Sequence, residues 1–358
     1  MQYITMSVKK KESGSWKKKA LTVVCIILAL LLALLIGVTL WVEGLLGSIG
    51  GLSDETMSPE QLESYLNATD PDGDFTGPQL SGDDISMPDG PAQLIGDGEH
   101  IINILLLGQD RRGGSKNGHS DAMILCTVNT KSKTLVMTSF MRDMWVKIPG
   151  KYNERLNVAY MVGGFKLLNA TLKENFGVKV DYNVEVDFKA FEKVVDILGG
   201  VEVELPKSEA NYLNKRGNWD VDDSTAYTWH LTGGKNLLTG EQALAFSRIR
   251  AVGGDGDFGR TGRQRKVLGV MLEKAKKMSL SQMISTANTV IPLLSTDMTS
   301  DQILDYIREL APMLGGMKVV NQRIPADDAY QLVMIDGKSV IKVDFEKSQK
   351  LLADTIDG

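Results

Sequence analysis

The sequence has very few cysteines. Only two occur in its 358 residues, Cys25 and Cys126. Cys25 lies in a long uncharged segment and Cys126 in a predicted buried strand, so the two thiols cannot meet. This excludes a small secreted fold held together by disulfides. The apolar share of 43% allows a chain of this length to bury a sizeable core, as one large domain or two modest ones.

An excess of positive charge is also missing. The chain has 40 Lys and Arg residues against 45 Asp and Glu residues, which gives a formal net charge of −5. A chain with this balance has no general affinity for nucleic acid, and any basic surface must be local. We therefore expect no nucleic-acid partner.

Basic residues are concentrated at the N-terminus. Residues 1–19 carry six lysines against the single Glu12, and residues 20–42 carry no charge at all. As a helix, those 23 residues reach roughly 35 Å, which is enough to cross a bilayer. Trp16 and Trp41 flank the segment, and no Lys or Arg follows until Arg111. This asymmetry predicts a cytoplasmic basic tail, one transmembrane helix and an exterior for the rest of the chain.

A cleaved signal peptide is the competing interpretation of residues 20–42. Its apolar region is usually about 7–15 residues long and is followed by a small-x-small cleavage site. The run here is longer, and no Ala-x-Ala sequence follows it. The sequence therefore favours a retained membrane anchor.

Residues 43–99 are rich in Gly, Asp, Ser and Pro and contain no Lys or Arg. Such a segment buries too little apolar surface to fold alone. We expect an acidic, flexible extracellular linker, which as a coil spans on the order of 40 Å. This reach lets the following domain contact both the wall and the lipid surface.

Three short apolar runs organise the rest of the chain. Residues 101–107, 122–128 and 134–140 are separated by polar turns and predict a three-stranded meander. If the strands are antiparallel, Asp110, Asp121 and Arg142 converge at one end. Two neighbouring carboxylates repel each other unless a hard cation or protons lie between them, and arginines beside them suit phosphate oxygens. The alternative is an ion-pair cluster at a solvated rim.

Strands alternate with helices after the meander, which predicts an α/β/α sandwich with a mixed central sheet. Helical character covers residues 153–177, with a break at Gly163-Gly164. A strand at 184–188, a helix at 189–198 and a strand at 201–205 follow. Residues 207–229 predict a long loop. We assign residues 100–278 to the catalytic domain and residues 279–358 to an extension that packs on it, with helices at 281–294 and 300–310 and a hairpin around Asp336-Gly337.

Four arginines in the second half of the sequence have spacings that suit the binding of an anion. Arg248 and Arg250 are two residues apart and project to one side of an extended segment. Arg260 and Arg263 are three apart and share a face of a helix predicted to begin near residue 260, after a glycine-rich hinge. Cations at a helix N-terminus make most sense if an anion binds there. A solvated basic face is the alternative.

Together these stretches resemble the LytR–CpsA–Psr family of cell-wall enzymes, over residues 101–276. The motifs are specific in combination. They are Leu106-Leu107-Gly108-Gln109-Asp110 with the following arginines, Ser120-Asp121, Arg142-Asp143 before Ile148-Pro149-Gly150, Arg155-Leu156-Asn157-Val158-Ala159-Tyr160, Gly199-Gly200-Val201, Arg248-Ile249-Arg250, and Gly256-Asp257-Phe258-Gly259-Arg260 with Arg263-Gln264.

The resemblance implies a membrane-anchored phosphotransferase. Such an enzyme moves a glycopolymer, for example a teichoic acid or a capsular polysaccharide, from a polyprenyl-pyrophosphate carrier onto peptidoglycan. Asp110 and Asp121 match the positions that hold Mg²⁺, a role that Mn²⁺ can also fill. The remaining matched positions fall into two groups: pyrophosphate binding by Arg111, Arg112, Arg260, Arg263 and Gln264, and catalysis by Arg142, Asp143, Arg248, Arg250 and Asp257.

The family also encloses the lipid in an apolar tunnel between sheet and helices. The resemblance assigns its lining here to Met161, Val162, Phe165, Leu168, Phe191 and Val195, each of which also suits an ordinary core. His119 stands where the family commonly has Arg, which removes one fixed charge beside the phosphates.

The implied reaction is attack by an acceptor hydroxyl on the sugar-linked phosphorus, with polyprenyl phosphate leaving. Charge builds up on phosphoryl oxygens, which a metal and arginines stabilise by position. Asp143 and Asp257 are both candidates for the base. Two alternatives remain open: a hydrolase that uses the same site on water, and a membrane-tethered module that binds the polymer without turnover.

Overall fold

The computed structural model describes residues 77–88, 90–110, 119–215, 229–253, 255–277, 289–299 and 316–357, with positions 52, 58, 60 and 302 besides. The predicted tail (1–19), the predicted membrane helix (20–42), Arg111 and Arg112 lie outside these residues. So do most of the two predicted helices at 281–294 and 300–310. None of the helices in the described part combines the length and the apolar character that a membrane crossing requires.

A mixed six-stranded sheet forms the centre of the domain. In the order in which they pair, its strands are β10 (Ser295–Thr296), β7 (Tyr182–Asp187), β2 (Ile101–Asp110), β3 (His119–Asn129), β4 (Thr134–Phe140) and β11 (Lys318–Ile324). The predicted antiparallel meander is β2, β3 and β4, and it is confirmed. β7 runs parallel to β2, and β11 runs parallel to β4. The predicted α/β fold with a mixed central sheet is therefore confirmed.

Alternate residues of the strands feed two separate cores. Ile102 and Ile104 belong to one core, and Leu105 and Leu107 belong to the other. The first face is covered by α2 (Phe188–Ile197), α3 (Lys207–Leu213), α4 (Gly240–Arg248), α5 (Gly256–Ala275) and the ribbon of β8 (Val201–Leu205) and β9 (Gly234–Leu238). The second is covered by α1 (Leu156–Phe176), α6 (Phe345–Ile356) and the ribbon of β5 (Trp145–Lys147) and β6 (Asn153–Arg155).

Local signals place several elements where the sequence predicts them. The two glycines Gly163 and Gly164 have non-helical backbone angles and interrupt α1. The Thr239 side chain accepts a hydrogen bond from the Gln242 backbone N–H, and the Gln242 side chain accepts one from the Thr239 backbone N–H, so a capping box starts α4. The predicted C-terminal hairpin is β12 (Tyr330–Ile335) and β13 (Lys338–Val343), joined by Asp336 and Gly337 at positive φ.

The predicted linker is too long at its C-terminal end. β1 (Gln79–Leu80) pairs with β12, and Ile85 and Ile95 are buried. Residues 77–99 therefore pack against the domain rather than forming part of a tether. Composition did not predict this packing, because β1 pairs with β12, a strand more than 200 residues away in the sequence.

Three further expectations need correction. Residues 207–213 form the helix α3 rather than the start of a loop. The extension after residue 278 does more than cover the sheet, because β11 completes it. Finally, α5 begins at Gly256, so the glycine-rich hinge is largely its first turn. Arg260 and Arg263 consequently lie beyond the unpaired N–H groups of the helix start, and the argument from a helix N-terminus does not apply to them.

Candidate active site

The strand ends that meet at one rim of the sheet position the predicted residues. β2 ends at Asp110 beside His119, the first residue of β3, and Gln109 lies opposite Asp187 at the end of β7. Gly108 pairs with Ala122 and Gln109 with Ser120, so Asp121 is the extra residue of a β-bulge. A Cβ at Gly108 would lie 3.1 Å from the Ala122 Cβ, so the strands approach closely at this bulge. The backbones of Asp110 and Asp121 thus lie on neighbouring strands at the same rim, as predicted.

β4 delivers a buried carboxylate to this rim. Asp143 follows the strand and is 6% exposed. Arg142 Nε lies 3.4 Å from its Oδ2, and Arg155 Nη1 lies 3.8 Å from its Oδ1. Arg155 is the residue immediately before α1. It is part of a family motif and had no predicted role. Backbone hydrogen bonds from Leu156 and Asn157 to the segment that follows β4 bring it to Asp143.

A second buried carboxylate comes from the first turn of α5. Asp257 is 3% exposed, with its Oδ1 2.5 Å from Arg260 Nη2 and 3.4 Å from Arg250 Nε. These contacts are close, yet neither Asp257 oxygen accepts a well-aligned hydrogen bond among the described residues. We take the short distances as evidence of ion pairing and not of hydrogen bonding, because the donor directions do not fit.

The two carboxylates form one electrostatic unit, the Asp143–Asp257 cluster. Burial raises the pKa of the Asp143 carboxyl; the Arg142 charge opposes this rise and the nearby Asp257 charge adds to it. Arg142, Arg155, Arg250 and Arg260 surround the two Asp side chains. Because the guanidiniums outnumber the carboxylates two to one, the cluster favours an anion such as a pyrophosphate diester.

The raised pKa of Asp143 predicts a pH signature in stability. A carboxyl whose folded pKa lies above its ordinary value of 3.8 binds its proton more tightly in the folded state. Stability from this group is therefore complete below that value and is lost as pH rises through the folded pKa. We expect the unfolding free energy of the wild type, relative to Asp143→Asn, to decline as pH rises from about 4.

Urea unfolding of both proteins across a pH series measures this difference. Asp354→Asn is the matched control, because Asp354 is a surface carboxylate that pairs with the exposed Lys350. A difference between wild type and Asp143→Asn that stays constant across the series would contradict the assignment.

Two predicted arginines occupy different surroundings from this cluster. Arg248 ends α4 and is not extended as expected; its guanidinium lies 4.7 Å from the ring centre of Phe188, the first residue of α2. Arg263 is 7% exposed and donates to Glu209 at 2.8 Å and to the carbonyls of Ile249 and Val252 at 3.0 and 2.8 Å. Arg263 therefore fixes the segment that carries Arg250, and these bonds favour positioning over direct phosphate contact. The Gln264 Oε1 is buried without a hydrogen bond in the described part of the chain.

A buried polar chain that the sequence analysis missed lies at the end of β2. Gln109 Nε2 donates to Tyr160 Oη at 2.8 Å, and Tyr160 Oη donates to Glu185 Oε2 at 3.1 Å. Glu185 is 3% exposed, at a position of β7 next to Leu107. The chain connects α1, β2 and β7 directly behind Asp110. The sequence signal for it is an acidic residue, Glu185, between the two apolar residues Val184 and Val186.

The six predicted tunnel residues do not share one surface. Val162, Phe165 and Leu168 pack in the core of the α1 face, whereas Phe191 and Val195 pack in the core of the opposite face. Met161 is buried in α1. The central sheet separates the two groups, so they cannot line a single tunnel. The α1 residues and the α2 residues remain alternative linings.

Among the described side chains, no group of three or more His, Cys, Asp or Glu residues is arranged to hold a metal ion. The predicted pair Asp110 and Asp121 is placed by its backbone only. Two carboxylates at one rim suit Mg²⁺, which commonly takes one or two carboxylates and completes its shell with water and substrate phosphate. The donor set and the strand register therefore fit a magnesium ion.

Known proteins of one family match this chain in sequence and in structure. The model of the LytR_cpsA_psr family matches residues 80–356. A curated relative, the polyisoprenyl-teichoic acid–peptidoglycan teichoic acid transferase TagU of Bacillus mycoides (strain KBAB4), is 34% identical over 228 residues, which cover 63% of this chain and 69% of TagU.

Two solved structures are similar over most of the chain. Bacillus subtilis TagT has a TM-score of 0.57 and 26% identity, covering 77% of this chain and 97% of TagT. A TagT structure with bound octaprenyl pyrophosphate lipid has a TM-score of 0.53 and 25% identity, covering 78% of this chain and all of that one (100%).

Proposed function

The chain belongs to the LytR_cpsA_psr family, and on this premise we propose that it transfers a glycopolymer from a polyprenyl-pyrophosphate carrier to peptidoglycan. The observation that carries the proposal is the Asp143–Asp257 cluster, in which four arginines from four parts of the fold surround two buried carboxylates. The name of TagU and the lipid bound in TagT support the choice of donor and acceptor.

The arginines supply electrostatic stabilisation. As the acceptor oxygen attacks the sugar-linked phosphorus, a P–O bond forms, the bond to the bridging oxygen breaks, and polyprenyl phosphate leaves. Negative charge shifts onto the phosphoryl and leaving oxygens, and fixed guanidiniums at the rim stabilise it without reorganising. Arg142, Arg250 and Arg260 are the arginines assigned to this role.

Asp143 is the better candidate for accepting the proton of the acceptor hydroxyl. Burial raises its pKa, and a raised pKa favours proton uptake near neutral pH. Asp257, in contrast, lies between Arg250 and Arg260, and its main role in this account is to orient them.

Mg²⁺ is the proposed cofactor, held by Asp110 and Asp121. When bound, it neutralises phosphate charge and fixes the pyrophosphate. Arg111 and Arg112, which follow Asp110 directly, are proposed to contact the same phosphates, and Gln264 lies one residue from Arg263 on α5.

The polyprenyl chain is proposed to contact the face that carries α2 and α5. Half-buried apolar side chains at that face, among them Leu106, Val186, Phe191 and Leu268, pack on the core below the rim.

Residues 20–42 are proposed to anchor the chain with the site outside the cell. Protease added to wall-less cells tests the orientation, which fails if the domain is protected.

Release of polyprenyl phosphate tests the function itself. Full-length protein is incubated with the lipid-linked polymer, with and without peptidoglycan. The proposal expects release that requires peptidoglycan and equals the polymer gained by it. Release without acceptor would favour the hydrolase, and tight lipid binding without any release would favour the tethered binder.

A further inference from the structure

Arg265, on α5, is a partly buried cation to which the described residues offer no counter-ion. Its Nη1 is buried and makes no hydrogen bond, and no carboxylate pairs with it in the part of the chain that the structure describes. Burial, followed by the nearby Arg323 charge, lowers its pKa to about 10. At neutral pH the guanidinium still carries its charge. A desolvated, unpaired charge destabilises a fold, so its presence calls for a ligand or another reason.

Arg323, at the end of β11, is held rigidly beside it. Its Nε donates to the Pro325 carbonyl at 3.1 Å, and its guanidinium pairs with Asp327. Its Cζ lies 4.3 Å from the ring centre of Phe258, which stacks on Tyr330 with centroids 4.7 Å apart. Phe258 and Arg265 are two turns apart on α5 and share a face. The Arg323 charge also acts directly on Arg265, so the two guanidiniums lie near each other between α5 and the edge strand.

The two guanidiniums suit a phosphate better than a carboxylate. A single arginine fork satisfies both oxygens of a carboxylate in one plane. A phosphate offers oxygens in several directions and can accept from two arginines on different elements at once. An anion between Arg265 and Arg323 would also remove the repulsion between their like charges.

This location is separate from the Asp143–Asp257 cluster. Arg323 stacks on Phe258, the neighbour of Asp257, but Arg265 lies eight residues beyond Asp257 on α5. Eight helical residues span roughly 12 Å along the helix axis. The two phosphates of one pyrophosphate share a bridging oxygen, so they cannot occupy both places. A further phosphate along a polymer chain can.

We propose that Arg265 and Arg323 form a second oxyanion site, which binds a phosphodiester of the transferred polymer while the pyrophosphate occupies the Asp143–Asp257 cluster. The identity of this polymer rests on the proposed transferase function. The site makes the enzyme selective for polymers that contain phosphate in their repeating units.

Binding of a glycerol-phosphate oligomer tests the site without turnover. Full-length protein is first saturated with polyprenyl pyrophosphate, and the oligomer is then titrated by calorimetry. We expect Arg265→Gln and Arg323→Gln each to raise the Kd about tenfold or more, on the scale of one charge-assisted contact. Lys266→Gln is the matched control, because Lys266 is an exposed cation on α5 that donates to the Glu204 carbonyl. Its Kd should stay within about twofold of the wild type.

Thermal stability separates a ligand site from a structural role. Since Arg265 is desolvated and unpaired in the described part of the chain, Arg265→Gln should melt at the same or a higher temperature than the wild type. If Arg265 had a structural role, the Arg265→Gln protein would have a lower melting temperature than the wild type. Arg265→Lys, which keeps the charge, should keep part of the affinity and serves if Arg265→Gln does not fold.

Two results would overturn the site. One is an oligomer Kd that does not change in either glutamine variant. The other is a muramyl peptide, which carries carboxylates and no phosphate, whose binding weakens in Arg265→Gln while oligomer binding does not. A wild type that binds the oligomer through Arg265 but transfers no polymer would instead refute the proposed function and leave the phosphate site standing.

Discussion

Arg250→Ala is expected to lower the single-turnover release of polyprenyl phosphate by tenfold or more, while binding of the lipid pyrophosphate falls less. Arg250 is partly exposed at the rim, and its Nε lies 3.4 Å from the buried Asp257. A charge-assisted contact is worth roughly 1.5–3 kcal/mol, and each 1.4 kcal/mol is about tenfold in rate. A contact that strengthens in the transition state appears in rate rather than in affinity.

Arg250→Lys and Lys235→Ala make this result specific. Arg250→Lys keeps the charge but loses the planar fork, so it should recover only part of the rate. Lys235 pairs with Glu202 on the exposed β8–β9 ribbon, and its replacement should leave the rate unchanged. If binding and release fall by the same factor in Arg250→Ala, the arginine only holds the substrate.

Asp121→Asn is expected to lower the affinity for Mg²⁺ at least about tenfold, and activity with it, while the protein stays folded. Residues that merely support metal ligands change affinity by about 10–100-fold, and a direct ligand should do no less. Stability should be unchanged or higher without metal, because one of two neighbouring like charges is removed. The strand register, which places Asp121 at a bulge beside the end of β2, motivates this expectation.

Calorimetric titration of Mg²⁺ into full-length protein measures the effect. Asp110→Asn should behave in the same way, and Asp354→Asn, a surface control, should bind as the wild type does. Equal Mg²⁺ affinity in Asp121→Asn and wild type would remove Asp121 from the metal site.

Local patterns were sufficient to predict the centre of the fold. Three apolar runs with short polar turns gave the β2–β3–β4 meander, because each strand pairs with its sequence neighbour. Gly163-Gly164 and the Thr239 cap acted through local backbone chemistry. These are features that a window of about ten residues contains.

Non-local pairing explains most of what the sequence did not reveal. β11 pairs with β4 across more than 180 residues, and β1 pairs with β12 across more than 250. The early start of α5 has a similar cause: ion pairs of Asp257 and stacking of Phe258 on Tyr330 stabilise a first turn that contains two glycines. The missed helix α6 is different, since Asp344 caps it by a visible local signal.

The candidate site likewise contains residues that sequence motifs identify and contacts that only the fold creates. The resemblance to the family's motifs pointed to Arg142, Asp143, Arg250, Asp257 and Arg260, which the fold brings together. Other features depend on which helix packs on which strand end. They are the contact of Arg155 with Asp143, the burial of Glu185, and the lack of a counter-ion for Arg265 among the described residues. An arginine that binds a carboxylate and backbone carbonyls, as Arg263 does, cannot be told from a phosphate ligand by spacing alone.

The fate of the sugar-linked phosphorus is the sharpest test of the proposed transfer of polymer from the lipid carrier to peptidoglycan. A lipid-linked polymer labelled at that phosphorus is incubated with full-length protein, Mg²⁺ and peptidoglycan, and the labelled product is identified after the wall is digested. We expect to find the label in a phosphodiester between the polymer and a wall sugar, and we expect the amount of this phosphodiester to equal that of the polyprenyl phosphate released. A label found only in a phosphomonoester at the polymer end, or one that never leaves the lipid, would contradict it.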